Sequence, residues 1–268
     1  EFMKKIAVLG CGALSQTFCM NAIRLLEDDY FITAVLAKHH EHAVDLSMKI
    51  GSFACRSLSE LLSLRPDIVV EFAGVEAVEK YAEDILSSGC DLVIASVGAL
   101  DDKDFREHII KVAKDHERHI YVTSGAIGGM DIMSTFAAYG NPEVSIVSVK
   151  PPQVYDNSPY LANKPVRRDQ EVVVFEGDVH AAIRGFPRNV NVSAATALAS
   201  HAHDMKVKLI SDPSATRNTH TVTLHNPIMD AQLTFSAEPD HENERASMSA
   251  AWSVIALLKN LSSPLSFF

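Results

Sequence analysis

Residues 5–14 decide the fold: Lys5-Ile6-Ala7-Val8-Leu9-Gly10-Cys11-Gly12-Ala13-Leu14. An apolar run ends at Gly10, two glycines bracket one residue, and a helical pattern starts at once. Leu14, Phe18, Ala22, Leu25 and Leu26 recur at the spacing of one helix face. Strand, glycine turn and helix form the context that the G-x-G-x-x-G dinucleotide fingerprint requires. Gly10 permits the tight turn. Gly12 lets the backbone approach a pyrophosphate at the helix N-terminus, where unpaired N–H groups and the helix dipole favour an anion. Gly10, Cys11, Gly12, Ala13 and Leu14 are therefore candidate cofactor-binding residues. Ser15 stands where the fingerprint has its third glycine, a packing position that tolerates a small side chain. The plain alternative is a βα turn that happens to be glycine-rich.

The same rhythm continues outward. Strand-like runs at residues 31–37 (FITAVLA), 67–73 (DIVVEFA), 91–96 (DLVIAS) and 119–124 (HIYVTS) alternate with helical segments at 59–64, 75–88 and 101–118. Near-continuous apolar strands separated by helices predict a doubly wound parallel sheet covered on both faces. After a turn-rich hinge at 125–129 the period changes to two. Strands are expected at 144–150, 171–176, 206–210, 219–225 and 231–237, with one helix at 192–202 between them. This predicts a second, α+β domain of mostly antiparallel strands. A final helix is expected over 243–261.

The composition agrees with a globular chain. Of 268 residues, 47% are hydrophobic and 22% charged, which excludes disordered and low-complexity classes. The formal charge of −10 argues against nonspecific binding of nucleic acid or anionic membranes. The longest uncharged apolar stretch, residues 246–258, is too short to span a bilayer, which needs about 20 residues. Glu1-Phe2 precede Met3, which reads as the natural start, and no secretory pattern follows. Cys11, Cys19, Cys55 and Cys90 form no C-x-x-C pair and read as free thiols. No cluster suggests a metal site. The expected compartment is the cytoplasm.

The second strand of such a fold ends in an acid when the cofactor is NAD. Here the end reads Ala37-Lys38-His39-His40, with no acid before Glu41. Lys38 and His39 suit a 2′-phosphate, so NADP is expected to serve at least as well as NAD. The alternative is a solvated basic loop.

The chain resembles the L-aspartate dehydrogenase family in several runs. They are the glycine loop, Ala95-Ser96-Val97-Gly98-Ala99-Leu100, and Ser124-Gly125-Ala126-Ile127-Gly128-Gly129-Met130-Asp131. Further along come Lys150-Pro151-Pro152, Phe186-Pro187-Arg188-Asn189-Val190-Asn191-Val192, Asp212-Pro213 and His220. The FPxNVNV run with the downstream DP and His is the specific part. The run Asn243-Glu244-Arg245-Ala246-Ser247 departs from the family pattern. The resemblance implies oxidative deamination of L-aspartate to iminoaspartate, then oxaloacetate and ammonia, with NAD or NADP. It also implies a role in NAD biosynthesis in some organisms. For the fold it implies a Rossmann domain of residues 1–124 with 240–268, whose C-terminal helix returns to it. Residues 125–239 would form the substrate-binding domain, with its sheet in a homodimer interface.

His220 shares a strand face with Val222 and Leu224, a pattern that by itself suits a hydrogen-bonded core histidine. The resemblance makes it the catalytic histidine, with general acid–base duty. Ser96, Val97 and Gly98, at the end of one strand, are candidates for the nicotinamide pocket. Ser124, Gly125 and Ala126 end another, at the edge where ligands gather in open α/β sheets. Of Asn189 and Asn191, one can cap the following helix and the other can hold a substrate carboxylate. Lys150 and Arg188 suit either a carboxylate or the surface. Glu71 is an acid inside an apolar run, and its role stays open. Two other readings share the architecture: a reductase similar to homoserine dehydrogenase or dihydrodipicolinate reductase, and a non-catalytic NAD(P) sensor.

Overall fold

The computed structural model describes residues 3–162, 164–187, 191–238 and 249–267. The chain divides into two compact units, Glu1–Thr123 with Ala250–Phe267, and Ser124–Ser249.

The first unit opens with β1 (Lys4–Leu9), α1 (Ala13–Leu25), β2 (Tyr30–Leu36), α2 (His40–Ile50), β3 (Phe53–Cys55) and α3 (Leu58–Ser63). It continues with β4 (Ile68–Glu71), α4 (Val75–Ser87), β5 (Asp91–Ile94), α5 (Lys103–Asp115) and β6 (Ile120–Val122). All six strands are parallel, in the order β3-β2-β1-β4-β5-β6. This is the Rossmann order, with its switch point between β1 and β4. The strands read as apolar runs because helices cover both faces: Ile6, Val8, Ile68, Val70 and Val93 are buried in one core with Phe18, Cys19 and Ala22 of α1. Ser57 and Asp102 cap α3 and α5 by accepting from the N–H groups of Glu60 and Phe105.

The second unit holds α6 (Met130–Tyr139), β7 (Glu143–Lys150), β8 (Val172–Asp178), α7 (Val179–Gly185), α8 (Asn191–Ser200), β9 (Lys206–Ser211), β10 (Asn218–Asn226) and β11 (Met229–Ala237). Its five strands run in the order β11-β10-β7-β9-β8. The β7–β9 pair is parallel and the others are antiparallel. One face packs under α6, α7 and α8. That face is apolar along most of β7, β9 and β10, through Val144, Ile146, Val207, Leu209, Val222 and Leu224. The last helix, α9 (Ser249–Ser262), belongs from Ala250 onward to the first unit. Its Ala251, Val254, Ile255 and Leu258 complete the core around β1 and α1, and Tyr30 donates a hydrogen bond to the Leu258 carbonyl at 3.0 Å.

The two-part fold class read from the sequence is the one observed. Several details are corrected. Residues 40–50 form a helix that the sequence reading did not assign; its first turn is histidine-rich and polar, which hides the period carried by Ala43, Leu46 and Ser47. The second unit has three helices among the described residues rather than one. In α6 the signal is hidden behind the glycine turn, and α7 is only a short helix capped by Asp178. The strands β5 and β6 stop at Ile94 and Val122, so Ser96 precedes a short 3-10 helix that Val97 and Gly98 open, and Ser124–Ala126 lie in a turn beyond the strand end. Asn191 is the first residue of α8, not a residue ahead of it. Of the final helix expected over 243–261, residues 243–248 lie outside the described residues.

Candidate active site

In the first unit the cofactor candidates gather at one edge, the carboxyl ends of the parallel strands. Gly10 leaves β1 with φ +102°, in the region that L side chains rarely adopt. A Cβ there would stand 2.7 Å from the backbone carbon and oxygen of Phe72. The turn is therefore built to let β1 and β4 end side by side. Gly12 is different. It precedes α1 with φ −76°, and a Cβ on it would meet nothing within 4 Å. No side chain caps the helix at this point. The helix start thus presents backbone N–H groups over an open space, the donor set that a pyrophosphate needs. Ser15, in the place of a third glycine, is buried and donates to the Gly10 carbonyl at 2.6 Å. The hydroxyl replaces the close packing of a glycine with a direct tie between the helix and the turn. Cys11 is buried beside this turn, and burial pushes its thiol up to about 11.

Glu71, left open by the sequence, is the organiser of this edge. It ends β4, is 1% exposed and accepts four hydrogen bonds. Oε1 receives the N–H groups of Ala73 at 2.6 Å and Gly74 at 2.8 Å, and the Ser96 hydroxyl at 2.8 Å. Oε2 receives the Ser96 N–H at 3.0 Å. Burial raises its pKa, and these donors work against that rise. One carboxylate thus ties the turn after β4 to the turn after β5 that holds Ser96, Val97 and Gly98. The sequence signal was present, an acid in an apolar strand, but the two donors of Ser96 lie 25 residues further along the chain, too far to read locally. Lys38 and His39 follow β2 with exposed side chains, and His39 precedes α2 without capping it through its side chain.

In the second unit the apolar face of the sheet turns polar at one end. His220 on β10 lies opposite Ser148 on β7, and its Nδ1 is 2.8 Å from the Ser148 Oγ. Both residues are buried, at 2% and 0% exposure. On its other side His220 pairs with Phe235 of β11. Gly128 packs against the Phe235 ring, where an added Cβ would come within 3.1 Å. The turn after Ser124, Gly125 and Ala126 is thereby brought to the His220 end of the sheet. Lys150, the last residue of β7, is also buried on this face and lies opposite Ser211 of β9. Burial lowers the Lys150 pKa to about 8. Burial, and after it the Lys150 charge, holds His220 well below the ordinary imidazole range. A ring that stays neutral and is fixed at Nδ1 can act as a base through Nε2.

Asn191 starts α8, which packs on β7 and α6. Asn189 and Arg188 lie outside the described residues. No group of three or more His, Cys, Asp or Glu that could hold a metal occurs among the described residues.

Two family models match the chain: "Aspartate dehydrogenase, C-terminal" over residues 131–261, and "Homoserine dehydrogenase, NAD binding domain" over residues 10–123. The L-aspartate dehydrogenase of Methanococcus maripaludis is 38% identical over 98% of each chain. That of Methanocaldococcus jannaschii is 34% identical over 98% of each. The crystal structure of aspartate dehydrogenase from Thermotoga maritima covers both chains completely, with a TM-score of 0.73 at 26% identity. A homoserine dehydrogenase from Thiobacillus denitrificans shares the fold, with a TM-score of 0.64 at 12% identity over 97% of this chain and 73% of that one.

Proposed function

The chain belongs to the L-aspartate dehydrogenase family, and from that premise we propose a reaction and a set of residue roles. L-Aspartate, NAD(P)⁺ and water are converted to oxaloacetate, ammonium, NAD(P)H and a proton, or the reverse. The observation that carries the chemistry is the buried His220, whose Nδ1 lies 2.8 Å from the Ser148 Oγ.

Gly10, Cys11, Gly12, Ala13 and Leu14 would hold the pyrophosphate of the dinucleotide, and Ser96, Val97 and Gly98 would flank its nicotinamide. The fit is supported by the open space above Gly12 and the uncapped start of α1. A bound nicotinamide supplies hydride acceptance from C2 of aspartate. His220 takes a proton from the water that attacks the imine carbon and returns one to the departing amine. Ser148 keeps the imidazole in one orientation while this happens. Ser124, Gly125, Ala126, Asn189 and Asn191 are assigned to substrate binding. Lys38 and His39 are assigned to the adenosine ribose, and the Lys38 ammonium favours a 2′-phosphate.

The outer face of the second sheet carries paired hydroxyls, Thr219 with Ser236 at 2.9 Å and Thr221 with Thr234 at 3.2 Å. We assign this face to a homodimer interface, checked by light scattering of the purified protein. Four free, buried cysteines support a reducing compartment such as the cytoplasm.

The test is initial-rate kinetics. NADPH and NADH oxidation are followed separately with oxaloacetate and ammonium, and NAD(P)⁺ reduction with L-aspartate beside other amino acids. Turnover selective for aspartate and oxaloacetate supports the assignment. Cofactor binding without turnover of either overturns it. A higher kcat/KM with NADPH than with NADH supports the Lys38 and His39 assignment, and a strong preference for NADH removes it.

A further inference from the structure

We propose that Lys150 is the anchor for a carboxylate of the dicarboxylate substrate, set beside His220 so that the anion and the reacting carbon reach their positions together. This rests on the aspartate dehydrogenase reading of the same site.

The argument begins with position. On the inward face of the second sheet, Lys150 ends β7 two residues after Ser148 and therefore shares its side. It lies opposite Ser211, while Asn218 stands two residues before His220 on the same buried side of β10. Ser148, Lys150, Ser211, Asn218 and His220 are all buried, with exposures of 0 to 4%. They make a continuous polar end on a face that is otherwise valine, isoleucine and leucine. Among the described residues of this unit Lys150 is the buried cation.

The neighbours point to a ligand. The Ser211 Oγ and the Asn218 Oδ1 are buried and have no hydrogen-bond partner among the described residues. A buried polar group without a partner costs about 1–3 kcal/mol, so folds rarely keep two at one end of a sheet without a use. A carboxylate lying against the Lys150 ammonium can accept from the Ser211 hydroxyl. The Asn218 Oδ1 can accept from the ammonium group of the substrate.

Charge adds a second consequence. After burial, the Lys150 charge also makes the imidazole harder to protonate. The other titratable groups on the elements around this face are placed differently. Tyr155 is buried and donates to the Ile210 carbonyl at 3.1 Å. Asp212 is half-buried, with its Oδ1 taken by the Ser214 N–H and hydroxyl. Lys208 pairs with Glu176 from the opposite side of β9. His180 of α7 and Asp131 of α6 are half-buried. Removing the Lys150 charge therefore raises the His220 pKa while leaving those groups in place.

The experiment compares the wild type with K150M and K150R. Steady-state kinetics use oxaloacetate, ammonium and reduced cofactor. Cofactor binding is followed by fluorescence, and binding of succinate, a dicarboxylate probe that cannot react, by calorimetry. In K150M the KM for oxaloacetate and the Kd for succinate are expected to rise roughly tenfold to a hundredfold. Cofactor affinity stays at the wild-type value, K150R recovers part of the loss, and the acidic limb of the kcat/KM profile moves to higher pH. Wild-type succinate affinity in K150M overturns the proposal. So does a loss that falls equally on cofactor binding and thermal stability, which marks a structural lysine. If the wild type turns over no oxaloacetate, the aspartate reading fails. Succinate binding then still decides the anchor, because its loss in K150M supports the carboxylate site and its retention removes it.

Discussion

The Oγ of Ser148 lies 2.8 Å from Nδ1 of His220, across neighbouring strands and 72 residues apart in the chain. The pair is buried in a face of aliphatic side chains, so the serine settles which ring nitrogen is engaged and the burial settles the charge. Replacing His220 with Asn is expected to lower turnover roughly 10²–10⁴-fold, the range for a general acid–base group, while cofactor binding is kept. Ser148→Ala leaves the base in place but frees its orientation, so a smaller loss is expected. Stopped-flow turnover and cofactor fluorescence on the same preparations check both.

His220 also makes the fold acid-sensitive. Its folded pKa is well below the ordinary 6.5, so as pH falls through 6.5 the unfolded chain takes up a proton that the folded chain does not. Stability is expected to decline from there downward, and His220→Asn to flatten part of that decline in urea unfolding curves measured between pH 7 and pH 5.

Lys150 acts in the alkaline range by the same reasoning. Its folded pKa of about 8 lies below the ordinary 10.5, so between these values the unfolded chain binds the extra proton. Stability is expected to gain up to roughly 3 kcal/mol from this group as pH rises from 8 to 10.5. The gain should be missing from K150M. Equal slopes for the two proteins in urea unfolding would show that Lys150 does not change protonation on folding.

The two glycines of the turn are expected to fail in different ways. Gly10→Ala places a Cβ 2.7 Å from the Phe72 backbone at a φ of +102°, so it should lower the melting temperature and cofactor binding together. Gly12→Ala meets no atom of the described residues within 4 Å. It should melt like the wild type yet weaken NAD(P)H binding by at least tenfold, because the methyl group fills the space above the helix start. An unchanged cofactor Kd in Gly12→Ala would place the pyrophosphate elsewhere.

Glu71→Ala strips the partner from three backbone N–H groups and the Ser96 hydroxyl at once. A loss of at least about 2 kcal/mol is expected from the unpaired donors alone. Cofactor affinity should fall as well, since the turn holding Ser96 loses its tie to β4. Chemical denaturation and fluorescence titration on the same variant separate the two effects.

Much of this was legible from the chain alone. The alternation of apolar strands and helices, the glycine turn after β1 and the change of period beyond residue 125 are local patterns, and local periodicity reports which face is buried. The N-caps at Ser57 and Asp102 are equally local. The helix α2 escaped because polar histidines occupy its first turn. The role of Glu71 escaped because two of its four donors, the N–H and hydroxyl of Ser96, reach it only when β4 and β5 lie side by side. The burial of Lys150 escaped because a strand-end lysine reads the same whether the end meets solvent or a core.

The sequence by itself determined the two-part fold class and the glycine turn between β1 and α1, since periodicity and turn chemistry are local patterns. It also singled out His220, but with two readings, a core histidine or a catalytic one. Only the tertiary structure brought His220 against Ser148, put Lys150 on the same buried face and left Ser211 Oγ and Asn218 Oδ1 without a partner among the described residues. Strand pairing decides these relationships. It joins residues dozens of positions apart, and the desolvation that sets their charge exists only after the sheet has closed under its helices.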